Sequence, residues 1–223
     1  AFHTNFAAIE GEDLQPHPTR EVNMVQLGRA LTELDGPPVK ALFVYQANPA
    51  ANVPDQSRVT AGLLREDLFT VVHEQVHTDT VDYADIVLPA TTSFEHLDLY
   101  RSYGHYYLQL GRPLIEPLGE ARSNWDLFQA LAARLGFAEP IFRKTVEELI
   151  RSLLAVEHPE AAEIPFERLA AGDPIRVNVP REGNPFSAGF PTPSGKIELA
   201  SRRLAARCFP AVPTYVPAVE GYE

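Results

Sequence analysis

Lys40-Ala-Leu-Phe-Val-Tyr45, Leu68-Phe-Thr-Val-Val72 and Asp85-Ile-Val-Leu-Pro89 are the three stretches on which the fold turns. Each is a short, continuous apolar run, the pattern of a strand covered on both faces. The first two open into polar exits, Gln46-Ala-Asn-Pro-Ala-Ala-Asn-Val-Pro54 and His73-Glu-Gln-Val-His-Thr-Asp-Thr80. Asp55 is placed to cap a helix reaching about Arg65, and a short helical turn through Tyr83 precedes the third run. Strand, loop and helix therefore alternate at short spacing from 40 to 90, which predicts parallel βαβ units. The expected fold class is α/β: a doubly wound, mostly parallel sheet flanked by helices, with less regular α+β elements after residue 90. Ligands in such a sheet bind at the carboxyl ends of the strands.

Working outward, residues 1–18 read as irregular, and Thr19 is positioned to cap a helix over 21–34. Met24, Leu27, Leu31 and Leu34 recur there at helical spacing until Asp35-Gly-Pro-Pro38 stops the chain. On the other side, Tyr103–Leu110 is aromatic-rich and extended in character. Ser123 opens a helix that Gly136 closes, with Trp125, Phe128, Leu131 and Leu135 on one face. Thr145-Val-Glu-Glu148 is a capping box for a helix buried through Leu149, Ile150, Leu153 and Leu154. Residues 172–200 are punctuated by Gly and Pro, with short strands expected at 175–179 and 196–200.

Composition narrows the function. The 223 residues carry 19 Lys+Arg against 30 Asp+Glu, a formal charge of −11, and a chain of that sign repels phosphate backbones. A nucleic-acid partner is not expected. Apolar residues at 45% and charged residues at 22% are globular proportions, and no apolar run approaches the roughly 18 residues of a membrane span. A single cysteine, Cys208, excludes an internal disulfide framework or a cysteine-ligated cluster within these residues.

Several motifs compete for the site. His73-Glu-Gln-Val-His77 is a literal H-E-x-x-H, which on a helix aligns two imidazoles on one metal and leaves the Glu as general base. Glu95 stands at a spacing suited to a third ligand. The β-branched setting of Val71, Val72, Val76, Thr78 and Thr80 disfavours that helix. A nicotinamide fingerprint is absent, because the turn after the first run contains no glycine. Asn48 and Pro49 still make a stiff polar turn, and Glu74, with Thr78 and Asp79 nearby, is a carboxylate able to accept paired hydrogen bonds from the N1–H and exocyclic amine of guanine. Ser93, Ser102, His96 and His105 lack the G-x-S-x-G elbow of a hydrolase, and Tyr103, Tyr106 and Tyr107 read as packing. The readings left beside a nucleotide site are a zinc hydrolase built on His73, Glu74 and His77, and a cofactor-free α/β interaction module.

The ordered set Ala41-Leu-Phe-Val-Tyr-Gln-Ala-Asn-Pro49, Pro54-Asp-Gln56, Arg65-Glu-Asp-Leu-Phe-Thr-Val-Val72, Thr78-Asp-Thr80 and Ala84-Asp-Ile-Val-Leu-Pro-Ala-Thr91 resembles the central α/β region of the molybdopterin oxidoreductases. These are the bis-molybdopterin-guanine-dinucleotide enzymes, which include formate dehydrogenases and dimethyl sulfoxide reductase. Arg20-Glu-Val-Asn-Met24, Gln26-Leu-Gly-Arg-Ala-Leu31, Glu116-Pro-Leu-Gly-Glu-Ala-Arg122 and Pro191-Thr-Pro-Ser-Gly-Lys-Ile-Glu-Leu199 extend the likeness in the same order, over roughly residues 20–215.

The resemblance implies molybdopterin guanine dinucleotide as cofactor, with a molybdenum or tungsten centre. Asn48 and Pro49 fall at the turn that meets the cofactor's pyrophosphate, and Glu74 falls where the family usually has Asp reading guanine. Thr78 and Asp79 stand beside it, and Asp85 belongs to a structural stretch. The H-E-x-x-H is then an accident of a cofactor loop. The expected organisation is an irregular lead-in over 1–20, the cofactor-binding α/β region over 21–200, and a junction over 201–223 toward a C-terminal β-barrel outside this sequence. An iron–sulfur cluster and the metal's protein ligand are likewise expected outside it, so no catalytic or metal-ligating residue is assigned here, Cys208 included. Expected partners are the remaining domains of the same polypeptide and electron-transfer subunits. The compartment, bacterial or archaeal cytoplasm or periplasm, stays open, and the isolated segment is expected to be inactive.

Overall fold

In the computed structural model, residues 20–101, 103–155, 164–176, 186 and 189–215 are described. Packing divides the chain into two units, Ala1–Asn178 and Val179–Glu223. In the first, the three apolar runs are strands β1 (Ala41–Tyr45), β2 (Phe69–Glu74) and β3 (Ile86–Pro89). They pair in parallel in the order β1-β2-β3, with Val44 opposite Val72 and Val72 opposite Val87. This is the parallel α/β arrangement the sequence predicts for residues 40–90.

Period-two alternation explains how the sheet is covered. Leu42, Val44 and Val72 face one side, where Val81 and Ala84 pack on them. The adjoining core on that side holds Leu31, Ala50, Val53, Val59, Leu63 and Leu68. It is supplied largely by helices α1 (Leu27–Glu33), α2 (Pro49–Asn52) and α3 (Gln56–Leu63). Phe43 and Tyr45 face the other side and meet Phe128 of α4 (Asn124–Leu135), ring centroids 5.6 and 5.2 Å apart. Helices therefore flank both faces. Asp85 enters β3 through a two-way clamp, its carboxylate accepting from Thr70 N (2.6 Å) and its own N–H donating to Thr70 O (2.8 Å).

The irregular region contains a second sheet, antiparallel, of β4 (Asp98–Arg101), β5 (Tyr107–Gly111) and β6 (Ile175–Arg176). Extended structure begins only at Tyr107, and Tyr103 is fully exposed at the hairpin end. Helix α5 (Val146–Leu154) carries the expected capping box and buries Ile150 and Leu154; α6 (Phe166–Ala170) follows. The second unit contributes α7 (Arg202–Ala205). No helix among the described residues is long and apolar enough to cross a membrane.

Four expectations change. Helix α1 starts at Leu27, after a 3-10 turn at Met24–Gln26 in which Asn23 Oδ1 accepts from Val25 N (3.2 Å), so Asn23 takes the capping role and Met24 is left exposed. Thr19 lies outside the described residues. Asp55 occupies the N-cap of α3 in the left-handed region (φ 60°) without a capping bond, its carboxylate turned to Arg58 (3.3 Å). Leu131 and Leu135 of α4 are exposed and Ala132 is the buried residue, because the sheet meets the helix at Phe128. Residues 196–200 form no strand: Ile197 and Leu199 are exposed and no described segment of their unit offers a ladder. Of the strand expected at 175–179, residues 177–179 lie outside the described ones.

Helices α1 and α3 touch through glycines. A Cβ on Gly62 would stand 2.4 Å from Leu31 Cβ, and one on Gly28 2.8 Å from Arg58 Cβ. Gly62→Ala is therefore expected to destabilise the chain by about 1–3 kcal/mol through overpacking, read as a lower urea midpoint at unchanged slope. An unchanged midpoint would show that the helices separate freely.

Candidate functional site at the carboxyl ends of β1 and β2

Leaving β1, the chain turns at Gln46, whose φ of 50° lies in the left-handed region and whose N–H donates to His73 O (3.3 Å). Backbone strain at a non-glycine residue is concentrated at functional loops. Two residues on, Asn48 spans the gap to the β2 exit. Its Nδ2 donates to Asp79 Oδ2 (2.9 Å), and its Oδ1 accepts from Thr80 N (3.2 Å) and Thr80 Oγ1 (2.7 Å). Thr80, fully buried, also accepts from Ala50 N through Oγ1 (3.1 Å). Pro49, buried at the first turn of α2, needs no N–H partner there. The Asn48 amide, followed by the residue's own backbone N–H, holds the Asp79 carboxyl below its ordinary range, so Asp79 stays ionised.

Thr78 precedes this group, its O accepting from Val81 N (2.9 Å). Its Oγ1 is buried and has no hydrogen-bond partner among the described residues. Glu74 ends β2, half-buried, with Oε1 accepting from Gln75 N (2.8 Å). Gln75 Nε2 in turn donates to Thr91 O (3.0 Å). Of the five residues predicted as ligands, the structure joins Asn48 and Asp79 directly, with Pro49 and Thr78 next to them in the chain. No hydrogen bond links Glu74 to them among the described residues. Thr80, at the centre of the group, was missed. Its signal is a β-branched hydroxyl between Asp79 and the apolar Val81, at a position where the turn must also pack inward.

The H-E-x-x-H reading is overturned by the strand. His73 and Glu74 are consecutive in β2 and point to opposite faces. His73 is fully buried with Nδ1 3.2 Å from Leu88 O, whereas His77 is exposed, 3.7 Å from Asp82. Glu95 is engaged elsewhere: Oε2 accepts from Thr92 N (2.7 Å) and Thr92 Oγ1 (2.8 Å), and Oε1 from Leu118 N (2.7 Å). No group of three His, Cys, Asp or Glu suited to a metal occurs among the described residues. The hydrolase candidates also separate. His96 Nδ1 pairs with Thr91 Oγ1 (2.8 Å), His105 Nδ1 accepts from Tyr107 N (3.1 Å), and Ser102 lies outside the described residues.

Parallel strands opening into cross-linked polar loops define an α/β domain, a class that takes ligands at the carboxyl ends of its strands. Residues 13–134 match the molybdopterin oxidoreductase family model. The chain belongs to that family. It is 46% identical to the probable oxidoreductase YoaE of Bacillus subtilis over 226 residues, an alignment covering 100% of this chain and 32% of YoaE. To the dimethyl sulfoxide/trimethylamine N-oxide reductase of Rhodobacter capsulatus it is 31% identical, covering 90% of this chain and 28% of that protein. Among solved structures, acetylene hydratase from Pelobacter acetylenicus superposes with a TM-score of 0.70 at 27% identity, covering 90% of this chain and 27% of the other. The chain thus spans less than a third of the length of each of these relatives.

Buried Glu95 is the ionised tie between the 92–95 turn and Leu118, its carboxyl lowered chiefly by the backbone N–H groups of Thr92 and Leu118. Unfolding lets the group bind a proton more readily, so its stabilisation is present above the ordinary carboxylate value and lost as pH falls through the lowered one. Glu95→Gln should therefore melt lower than the parent near neutral pH, with the gap closing in acid. Melting curves from about pH 7 to about pH 3 test this; parallel curves would contradict it.

Proposed function

We propose that this chain is the part of a molybdenum or tungsten oxidoreductase that holds the guanine nucleotide and pyrophosphate of molybdopterin guanine dinucleotide. The carrying observation is the knot of Asn48, Asp79 and Thr80, which fixes two strand-exit loops side by side. The residues fit the group by charge and by unused bonding capacity. Carboxylates at Glu74 and Asp79 suit the N–H and O–H donors of a base and ribose, not phosphate oxygens. The second Nδ2 hydrogen of Asn48 is the side-chain donor left for the pyrophosphate, and the unpartnered Thr78 hydroxyl is a further polar atom at the same loop. When bound, the cofactor's metal supplies two-electron redox chemistry; this chain's residues bind and orient.

The partners in this reading are the remaining domains of the same polypeptide, with an iron–sulfur cluster and electron-transfer subunits where those domains carry them. Exposed Val87, Phe94, Leu114 and Leu118 support it, since they offer apolar surface to further polypeptide.

GDP carries the guanine, ribose and pyrophosphate together. It should raise the melting temperature of the chain where ADP does not. Glu74→Gln should reduce the preference for GDP over ADP by about tenfold, since only a carboxylate accepts both guanine donors. Equal shifts with both nucleotides would overturn the reading. The chain alone is expected to show no substrate-dependent oxidation of a reduced viologen dye, and turnover in that assay would contradict its assignment as a binding segment.

A further inference from the structure

We infer that Thr80 is the positioning residue of this cradle, acting on the ligand only through Asn48; the inference rests on the reading of the site just given. Thr80 is fully buried, so it touches no ligand itself. It is nevertheless the point at which both loops meet. Its N–H and its hydroxyl both donate to Asn48 Oδ1, at 3.2 and 2.7 Å, and the same hydroxyl accepts from Ala50 N at 3.1 Å. A hydroxyl has one hydrogen to give and two lone pairs, so this geometry uses it in both directions at once.

The consequence falls on the Asn48 amide. Two donors from Thr80 can be met only by the amide oxygen, which fixes the orientation of the group. The nitrogen is thereby turned to Asp79, 2.9 Å away, leaving its second hydrogen for an incoming acceptor. Without the Thr80 hydroxyl, Asn48 Oδ1 loses its shorter bond and Ala50 N loses its acceptor. Only the longer Thr80 N–H bond and Asp79 would then hold the amide, so the donor offered to the pyrophosphate would be held in place for less of the time. A binding-competent state that is fractionally populated weakens apparent affinity by that fraction.

Thr80→Val preserves shape and removes the hydroxyl, and Thr80→Ser retains it. In the 223-residue chain, Thr80→Val should weaken GDP binding by about tenfold, as loss of one or two hydrogen bonds implies, with little change in GMP binding, because GMP lacks the second phosphate. Thr80→Ser should restore GDP affinity. A general loosening of the fold would weaken GMP and GDP alike, and that result, or unchanged GDP binding in Thr80→Val, would overturn the inference. Amide hydrogen exchange supplies a readout that needs no nucleotide. Ala50 should exchange about tenfold faster in Thr80→Val than in the parent or in Thr80→Ser, with Val72 in β2 unchanged. If the parent bound no GDP, the cradle reading would fall, and exchange would still decide the coupling: unchanged protection at Ala50 would overturn it.

Discussion

A parallel sheet ends abruptly on its ligand side. Each strand stops while its neighbour's last backbone groups still need partners, and the loops that leave must satisfy those groups without a ladder. Here Gln46 N meets His73 O and Ala90 N meets Glu74 O, and beyond these bonds one side chain ties the two loops together. Asn48, reaching from the β1 exit to the β2 exit, answers Thr80 and Asp79 together, and Thr80 returns a bond to Ala50. Everything proposed for the site depends on this link. It brings residues 31 and 32 positions apart in sequence to hydrogen-bonding distance and keeps Asp79 ionised.

The scaffold beneath is built to hold that link still. On one face α1 and α3 approach closely enough that Gly62 and Gly28 leave no room for a Cβ, and Arg65 Nη1 bonds Leu31 O (2.6 Å) near the end of α1. On the other, Phe128 fits against Phe43 and Tyr45. The Thr70–Asp85 clamp sets the register of β3 against β2 before any loop residue is counted. Rigid strands therefore aim the chemistry of the loops, which is the division of labour expected when functional residues sit on loops.

What the sequence discloses and what it withholds divide along local and tertiary causes. The ends of α4 are legible because Ser123 and Gly136 act on their own helix, and the same is true of the Thr145–Glu148 box. The three strands are legible as continuous apolar runs between polar exits, but the cover on both faces which that pattern predicts is incomplete, since Ile86 and Val87 of β3 are exposed. The start of α1 is misread because a 3-10 turn capped by Asn23 precedes it, and no side chain caps the α-helix itself at Gln26. The exposure of Leu131 and Leu135 depends on where α4 meets the sheet, which no periodicity records. At the site, the ligand candidates Asn48, Pro49, Thr78 and Asp79 were recognisable as one neighbourhood. Thr80 was not, because a threonine that bonds inward looks in sequence like any other β-branched residue.

The alternation of β2 has a bearing on how the family can vary. His73 lies with Tyr45 in the aromatic layer, while Glu74, one residue later, emerges on the opposite side. Loops before and after the strand can lengthen or shorten without disturbing this. A single insertion between Phe69 and Glu74 would exchange the two, burying an acid among rings and presenting an imidazole to the opening. Substitution can thus change the chemistry of this strand letter by letter, whereas any odd change in its length would exchange its two faces.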